Sequence, residues 1–280
     1  MTQKDILVIY AYYEKDDTYR KNLEFFLKKG IYDNDRCDYI IVVNGEIKSD
    51  LPKNVNKQNI RVLYRENKGY DYGAYDCALN SFENNQLEKY KYFIFLNTSV
   101  RGPFIPKYNK IKWHEPFINL IKEDVKLVGT TINILNTSNS EHSQIFERMT
   151  GFKRPHTHVQ SQMFAMDLEC LRFLMEKGLF ESTDYNNMTE FIASKEIMMS
   201  QLVLKNNWNI SCIIPEYQNI NYRTLNYDIN PTSYNNDPIF MNSCFGRTIH
   251  PYECIFIKTN RYISVNEINS ITNYEIKYGI

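Results

Sequence analysis

Nowhere does the sequence hold the roughly 18 to 20 consecutive apolar residues that a membrane-spanning helix needs, so the chain is expected to be soluble, or at most peripheral to a membrane. It also lacks an excess of either charge. Lys+Arg and Asp+Glu each number 33 in 280 residues, and a formal charge of zero removes the electrostatic basis for a nucleic-acid partner. No C-x-x-C pair occurs. The six cysteines (Cys37, Cys77, Cys170, Cys212, Cys244 and Cys254) are scattered singly, which excludes a disulfide scaffold and points to reduced thiols in a cytoplasm. Residues 1–5 are polar and the apolar run at 6–10 is too short for the core of a signal peptide. A G-x-G-x-x-G fingerprint is missing, which argues against a dinucleotide-dependent dehydrogenase. A glycine-rich cradle bearing Arg or Lys is missing too, which argues against a sugar nucleotidyltransferase. Repeats of solenoid period are absent.

What is present alternates between strand and helix. Continuous apolar runs at 6–10, 39–43, 61–64 and 92–96 predict buried strands, and the spacing of Tyr19, Leu23, Phe26 and Leu27 predicts a helix ending at Gly30. Further helices are expected from 74 to 84, 116 to 121, 168 to 177 and 189 to 206. Further strands are expected at 126–132, 159–166 and 210–214, with a polar loop over 135–147 and an ordered but irregular stretch over 219–242. This rhythm predicts an α/β fold: a mostly parallel, Rossmann-like central sheet flanked by helices, one domain over 1–280 with an irregular C-terminal segment.

In open α/β sheets, ligands bind at the carboxyl ends of strands. Three polar turns sit there: Tyr12-Tyr13-Glu14, residues 67–73 and residues 97–102. Tyr12 or Tyr13 has a ring to stack on a base, and Asp71 has a carboxylate to accept from ribose hydroxyls or a base edge. Each turn taken singly signals no more than a loop. His156 and His158 alternate on a strand and share a face, and with His250 they would make a metal site only if the fold brought all three together. Histidines hydrogen-bonded inside a polar cleft are the commoner arrangement.

The stretches ENKGYDYGAY (66–75), FLNTSVRGPF (95–104), VQSQMF (159–164), EIMMS (196–200) and HPYECIFIKTNR (250–261) resemble, in order and spacing, successive motifs of the rhamnan-synthesis-F-like glycosyltransferases and their eukaryotic and large-virus relatives. The resemblance runs over roughly 6–261. It implies a GT-A fold, with a nucleotide-sugar-binding half at 1–104 and an acceptor half with the C-terminal segment at 105–280. It implies transfer of a sugar, rhamnose or another hexose, from a nucleoside-diphosphate sugar to a glycan or glycoprotein acceptor.

On this resemblance the donor is expected against Tyr12, Tyr13, Asn67, Gly69, Asp71, Asn97, Thr98, Ser99 and Arg101. His158, Gln160 and Ser161 are expected to line the acceptor side, and His250 to face the diphosphate. Asn97-Thr98-Ser99 lies where many GT-A enzymes carry an Asp-x-Asp metal motif, and it has no carboxylate. Mg²⁺ and Mn²⁺ prefer anionic oxygens, so Asn97 and Ser99 offer them a weak site, and Arg101, Lys258 or Arg261 are the cations expected to offset leaving-group charge. Glu196 is the expected base of an inverting displacement, with Asp184 and Glu190 as fallbacks. The competing reading is a GT-A-fold module that binds nucleotide or sugar without catalysis.

Overall fold

The computed structural model describes residues 3–278 except 34, 49, 53–54, 56, 137–139, 186 and 262–263. The chain runs β1 (Ile6–Tyr12), α1 (Asp17–Lys29), β2 (Cys37–Asn44), β3 (Ile60–Arg65), α2 (Tyr70–Leu79), β4 (Tyr92–Asn97), β5 (Val100–Arg101), α3 (Glu115–Leu120), β6 (Val125–Gly129) and β7 (Ile132–Leu135). It continues through α4 (Glu141–Thr150), β8 (His156–Val159), β9 (Met163–Asp167), α5 (Leu168–Glu176), α6 (Met188–Phe191), a π-helical turn (Ile192–Ile197), α7 (Met198–Lys205), β10 (Asn209–Cys212), α8 (Pro251–Cys254), β11 (Ile257–Lys258) and α9 (Val265–Tyr278).

Every residue of β1 is buried, as a parallel strand covered on both faces requires. It pairs in parallel with β2 and β4, and the seven-stranded sheet has the order β10-β6-β9-β4-β1-β2-β3, with β9 antiparallel to both neighbours. The mixed but mostly parallel sheet agrees with the sequence reading. Helix α1 begins where the Asp16 side chain accepts from the amides of Thr18 and Tyr19, and it buries Leu23, Phe26 and Leu27 against one face of the sheet. Tyr72, Ala74, Tyr75 and Ala78 of α2 fill the other face, against Phe95 and Phe164.

Two predicted strands are each broken in two. The run at 126–132 divides into β6, which stays in the large sheet, and β7, which leaves to pair with β8. The run at 159–166 divides likewise into β8 and β9. The crossing point is tight: a Cβ on Gly129 would lie 2.2 Å from Val159 Cγ1. The buried polar residues between the strands bond to one another there, Gln162 Nε2 donating to Thr130 Oγ1 at 2.9 Å and Thr131 Oγ1 donating to Gln160 Oε1. Apolar periodicity alone does not reveal such a change of sheet. The polar stretch at 135–147 is also corrected: Ser140 caps α4, which buries Phe146, while residues 137–139 lie outside the described residues.

The C-terminal segment folds back over the first half. Strand β11 pairs antiparallel with β5, setting Lys258 against Val100 and Ile257 against Arg101. Successive residues of a strand face opposite ways, and Arg101 turns away from the strand-end turns into the space between α1 and α9. It is 2% exposed, with Nε donating to Asn22 Oδ1 at 2.8 Å and Nη1 to Asn269 Oδ1 at 2.8 Å and Thr272 Oγ1 at 3.3 Å. Arg101, expected at the donor phosphates, is thus a buried tie. Arg101→Leu is expected to lower unfolding free energy by about 2–4 kcal/mol, because it leaves buried acceptors unpaired; urea denaturation measures this, and an unchanged midpoint would contradict it.

Candidate functional site

The turns that close β1, β2, β3 and β4 are joined by hydrogen bonds. Asn44 Nδ2 donates to Tyr12 O at 3.2 Å, Arg65 Nη1 to Asn44 Oδ1 at 2.7 Å, Arg65 Nη2 to Lys68 O at 2.8 Å, and Asn97 Nδ2 to Asp71 Oδ2 at 2.6 Å. Asp71 belongs to the first turn of α2, which starts at Gly69 with φ +68°. A side chain on Gly69 would be strained by that φ and would meet Ser182 Oγ. Asn97 Oδ1 in turn accepts from Ser99 N at 2.9 Å and Ser99 Oγ at 2.6 Å. Burial pushes the Asp71 carboxyl up to about 6, against the opposing pull of Asn97 and the Lys258 charge.

The β5–β11 ladder places Lys258 directly behind this turn, with Thr259 N and Oγ1 donating to Ser99 O at 2.9 and 3.0 Å. Lys258 makes no ion pair among the described residues. Burial and Arg261 lower its pKa, while Glu196, Asp237 and Asp71 act in the opposite sense.

Glu196 lies within the π-helical turn. Such a turn carries an extra residue per turn and is often found at functional positions; here Lys195 and Glu196 both turn inward. Lys195 Nζ donates to Leu179 O at 2.6 Å and Glu181 O at 2.7 Å. Glu196 Oε2 accepts from Ser161 N at 2.7 Å and Ser161 Oγ at 2.5 Å, and Oε1 lies 3.5 Å from His158 Nε2. His158 Nδ1 is held by His156 O at 2.9 Å. Burial would raise the Glu196 carboxyl, but His158, Lys258 and Ser161 outweigh it and bring it down to about 2. Beside Glu196 opens a cavity of about 560 Å³, lined also by Asn133, His142, His158, Gln160, Asp237 and Arg261.

Other expected residues lie elsewhere or serve the fold. Tyr12 is fully buried and its hydroxyl donates to Glu14 Oε2 at 2.8 Å, so of the two tyrosines only Tyr13, 42% exposed, offers a ring to a ligand. Asn67 is exposed at the turn rim, and Thr98 is buried with its carbonyl accepting from Asn22. His250 caps α8, its Nδ1 accepting from Tyr252 N. The three-histidine metal site does not assemble, because His156 is engaged with Ser143 Oγ at 2.7 Å and Phe152 O at 2.9 Å. Asp184 is an exposed partner of Lys68, and Glu190 lines a different pocket, with Met149 and Tyr185. His142 and Asp237 escaped the sequence reading, since the stretch at 219–242 has no periodicity and α4 was read as a loop.

A divalent cation fits the Asn97 turn poorly. Asn97 Oδ1 already accepts two hydrogen bonds, the Asp71 carboxylate against the turn is taken up by Asn97 Nδ2, and the Lys258 charge lies near. Asp35, Cys37 and His114 form a compact buried group elsewhere, where β2 begins, at the opposite ends of the strands. There Asp35 is neutralised by Lys112 Nζ at 2.7 Å and held by His114 Nε2 at 3.2 Å.

The sheet and its polar strand-end turns define the class of fold: a mostly parallel α/β sheet with polar turns at the carboxyl ends of its strands. A family model, rhamnan synthesis protein F, matches residues 39–278, and the chain belongs to that family. No curated protein sequence matches it. Similar solved structures include the mannosyltransferase PcManGT from Pyrobaculum calidifontis in complex with GDP-Man and Mn²⁺ (11% identity, 74% of this chain, 54% of that one, TM-score 0.42). Others are the apo bifunctional glycosyltransferase WbbM (9%, 69% and 38%, 0.40) and the galactosyltransferase LgtC in complex with donor and acceptor sugar analogues (10%, 68% and 70%, 0.37). The chain thus spans about half the length of the mannosyltransferase. Among the described residues no helix is long and apolar enough to cross a membrane.

Proposed function

We propose that the chain transfers a hexosyl or deoxyhexosyl group from a nucleoside-diphosphate sugar to a hydroxyl of a glycan or glycoconjugate, with inversion. The observation that carries this is Glu196 at the wall of a cavity, oriented by Ser161 and kept ionised by His158 and Lys258, with Lys258 acting also on Asp71 of the strand-end turns. The donor half, 1–104, offers Tyr13 to the base and Asp71 to ribose or sugar hydroxyls. The acceptor half, 105–280, holds the attacking hydroxyl near Glu196. The acceptor oxygen bonds to the anomeric carbon as its proton passes to a Glu196 oxygen. The bond from that carbon to the phosphate oxygen breaks, and its electron pair leaves with the nucleoside diphosphate. Lys258 is the cation best placed for the charge that develops there.

The fit of the Asn97 turn leads to a direct test. Release of nucleoside diphosphate from a panel of nucleotide sugars with acceptor glycans is expected to change by less than about twofold on adding EDTA, since the protein's own ammonium supplies the charge. A loss of about tenfold or more, restored by Mn²⁺, would overturn the assignment to Lys258. Binding without release under any condition would favour the non-catalytic module, the reading that the carboxylate-free Asn97-Thr98-Ser99 turn supports.

A further inference from the structure

Among the described residues, two buried polar atoms of residues lining the cavity beside Glu196 make no hydrogen bond: Asn133 Oδ1, and Arg261 Nε, which lies 3.5 Å from Asp237 Oδ2. Asn133 sits on β7 directly opposite His158 of β8, is 9% exposed, and its Oδ1 accepts no hydrogen bond. A buried acceptor left unpaired forfeits the hydrogen bonds it would make in water with nothing in return. Such a loss at the wall of a cavity marks a position where a ligand donor belongs.

The opposite wall is a tight turn: Asp237 N donates to Tyr234 O at 2.9 Å, and Asn235 and Asn236 between them adopt φ of 51° and 62°. Asparagine tolerates that left-handed backbone, and Asn236 is fixed there with its Nδ2 donating to Asp228 Oδ2 at 3.2 Å. Gln160 adds a third amide, its Nε2 donating to Asp237 Oδ2 at 3.2 Å. His158 faces Glu196, and Arg261 lies 3.5 Å from Asp237, while Glu141 adds a further carboxylate. Burial pushes His142 toward its neutral form, so it does not offset Glu141. A carboxylate entering this cavity meets the carboxylates of Glu141, Glu196 and Asp237, against which Arg261 is, among the described residues, the one side chain of fixed positive charge in the lining, whereas a neutral polyol meets a polar wall and an Asn133 oxygen that needs a donor.

We infer that this cavity is the acceptor subsite for an uncharged saccharide, and that Asn133 sets its specificity by accepting a hydrogen bond from a ring hydroxyl. The inference rests on the glycosyltransferase reading, and its test does not require turnover. Saturation-transfer NMR on the full chain, without donor, compares methyl glycosides of neutral hexoses with the matching methyl uronosides. The neutral compounds are expected to bind at least about tenfold more tightly. Asn133→Leu is expected to weaken their binding, and to raise acceptor KM with donor KM unchanged, by about tenfold. It should do so while melting at or above the temperature of the parent, because it removes a buried unpaired oxygen.

Uronosides binding as tightly as neutral glycosides would overturn the inference on the unaltered protein, and so would unchanged binding in Asn133→Leu. Saturation transfer from no saccharide would overturn it whether or not sugar transfer is detected. Saccharide binding that Asn133→Leu weakens, with no transfer from any nucleotide sugar, would instead remove the catalytic reading and leave the subsite standing.

Discussion

Glu196→Gln is expected to lower turnover by about 10²–10⁴-fold, the usual worth of a positioned general base, while donor affinity measured by calorimetry stays unchanged. The amide keeps the shape of the side chain and an oxygen for Ser161, but it takes up no proton. The low carboxyl value of about 2 adds a second readout. A carboxyl held below its ordinary range in the folded chain contributes stability above that ordinary range and loses it as pH falls through about 2. The variant should therefore melt lower than the parent at neutral pH, with the gap closing in acid. A loss below about tenfold that appears in acceptor KM and not in kcat would make Glu196 a positioning residue and remove it as the base.

Lys258→Met is expected to cost about 10²–10³-fold in kcat, because the cation left nearby, Arg261, already faces Asp237, and Lys258→Arg should recover part of the loss. Rates equal to the parent's would remove Lys258 from the mechanism. The same variant moves a pH profile. Asp71, with a carboxyl near 6, has to be ionised to accept from ribose hydroxyls, so activity should fall as pH drops through about 6. Lys258 favours the ionised form, so its removal should shift that acid limb to higher pH, and Asp71→Asn should abolish the limb. Glu196, ionised far below this range, does not contribute to it.

Much of the first hundred residues is legible in one dimension. The runs behind β1, β2 and β4 are almost wholly buried, and continuous apolar residues are the local mark of such strands, whereas the shorter run behind β3 lies at the sheet edge and is partly exposed. The polar turns at 66–69, ahead of α2, and at 97–99 follow from where those runs stop. The family motif singles out Glu196, whereas helical periodicity alone leaves a Glu beside Lys195 on a solvated face. The π-helical turn that brings both inward is one extra residue in a continuous helix, and no propensity records it. Arg101 was misjudged for a related reason. A two-residue strand gives no period by which to tell which face it presents, and its partners Asn22, Asn269 and Thr272 lie far off in sequence.

By itself the sequence determined the α/β alternation, the places where the strands end in polar turns, and the family, because each is written in local runs and motifs. The tertiary structure decided that Lys258 stands behind Asn97, that Asn133 faces His158, and that the irregular stretch around Asn235 walls the cavity. These are contacts between segments that are mostly remote in the chain. They are fixed by strand pairing and burial across the whole fold, which no window of neighbouring residues contains.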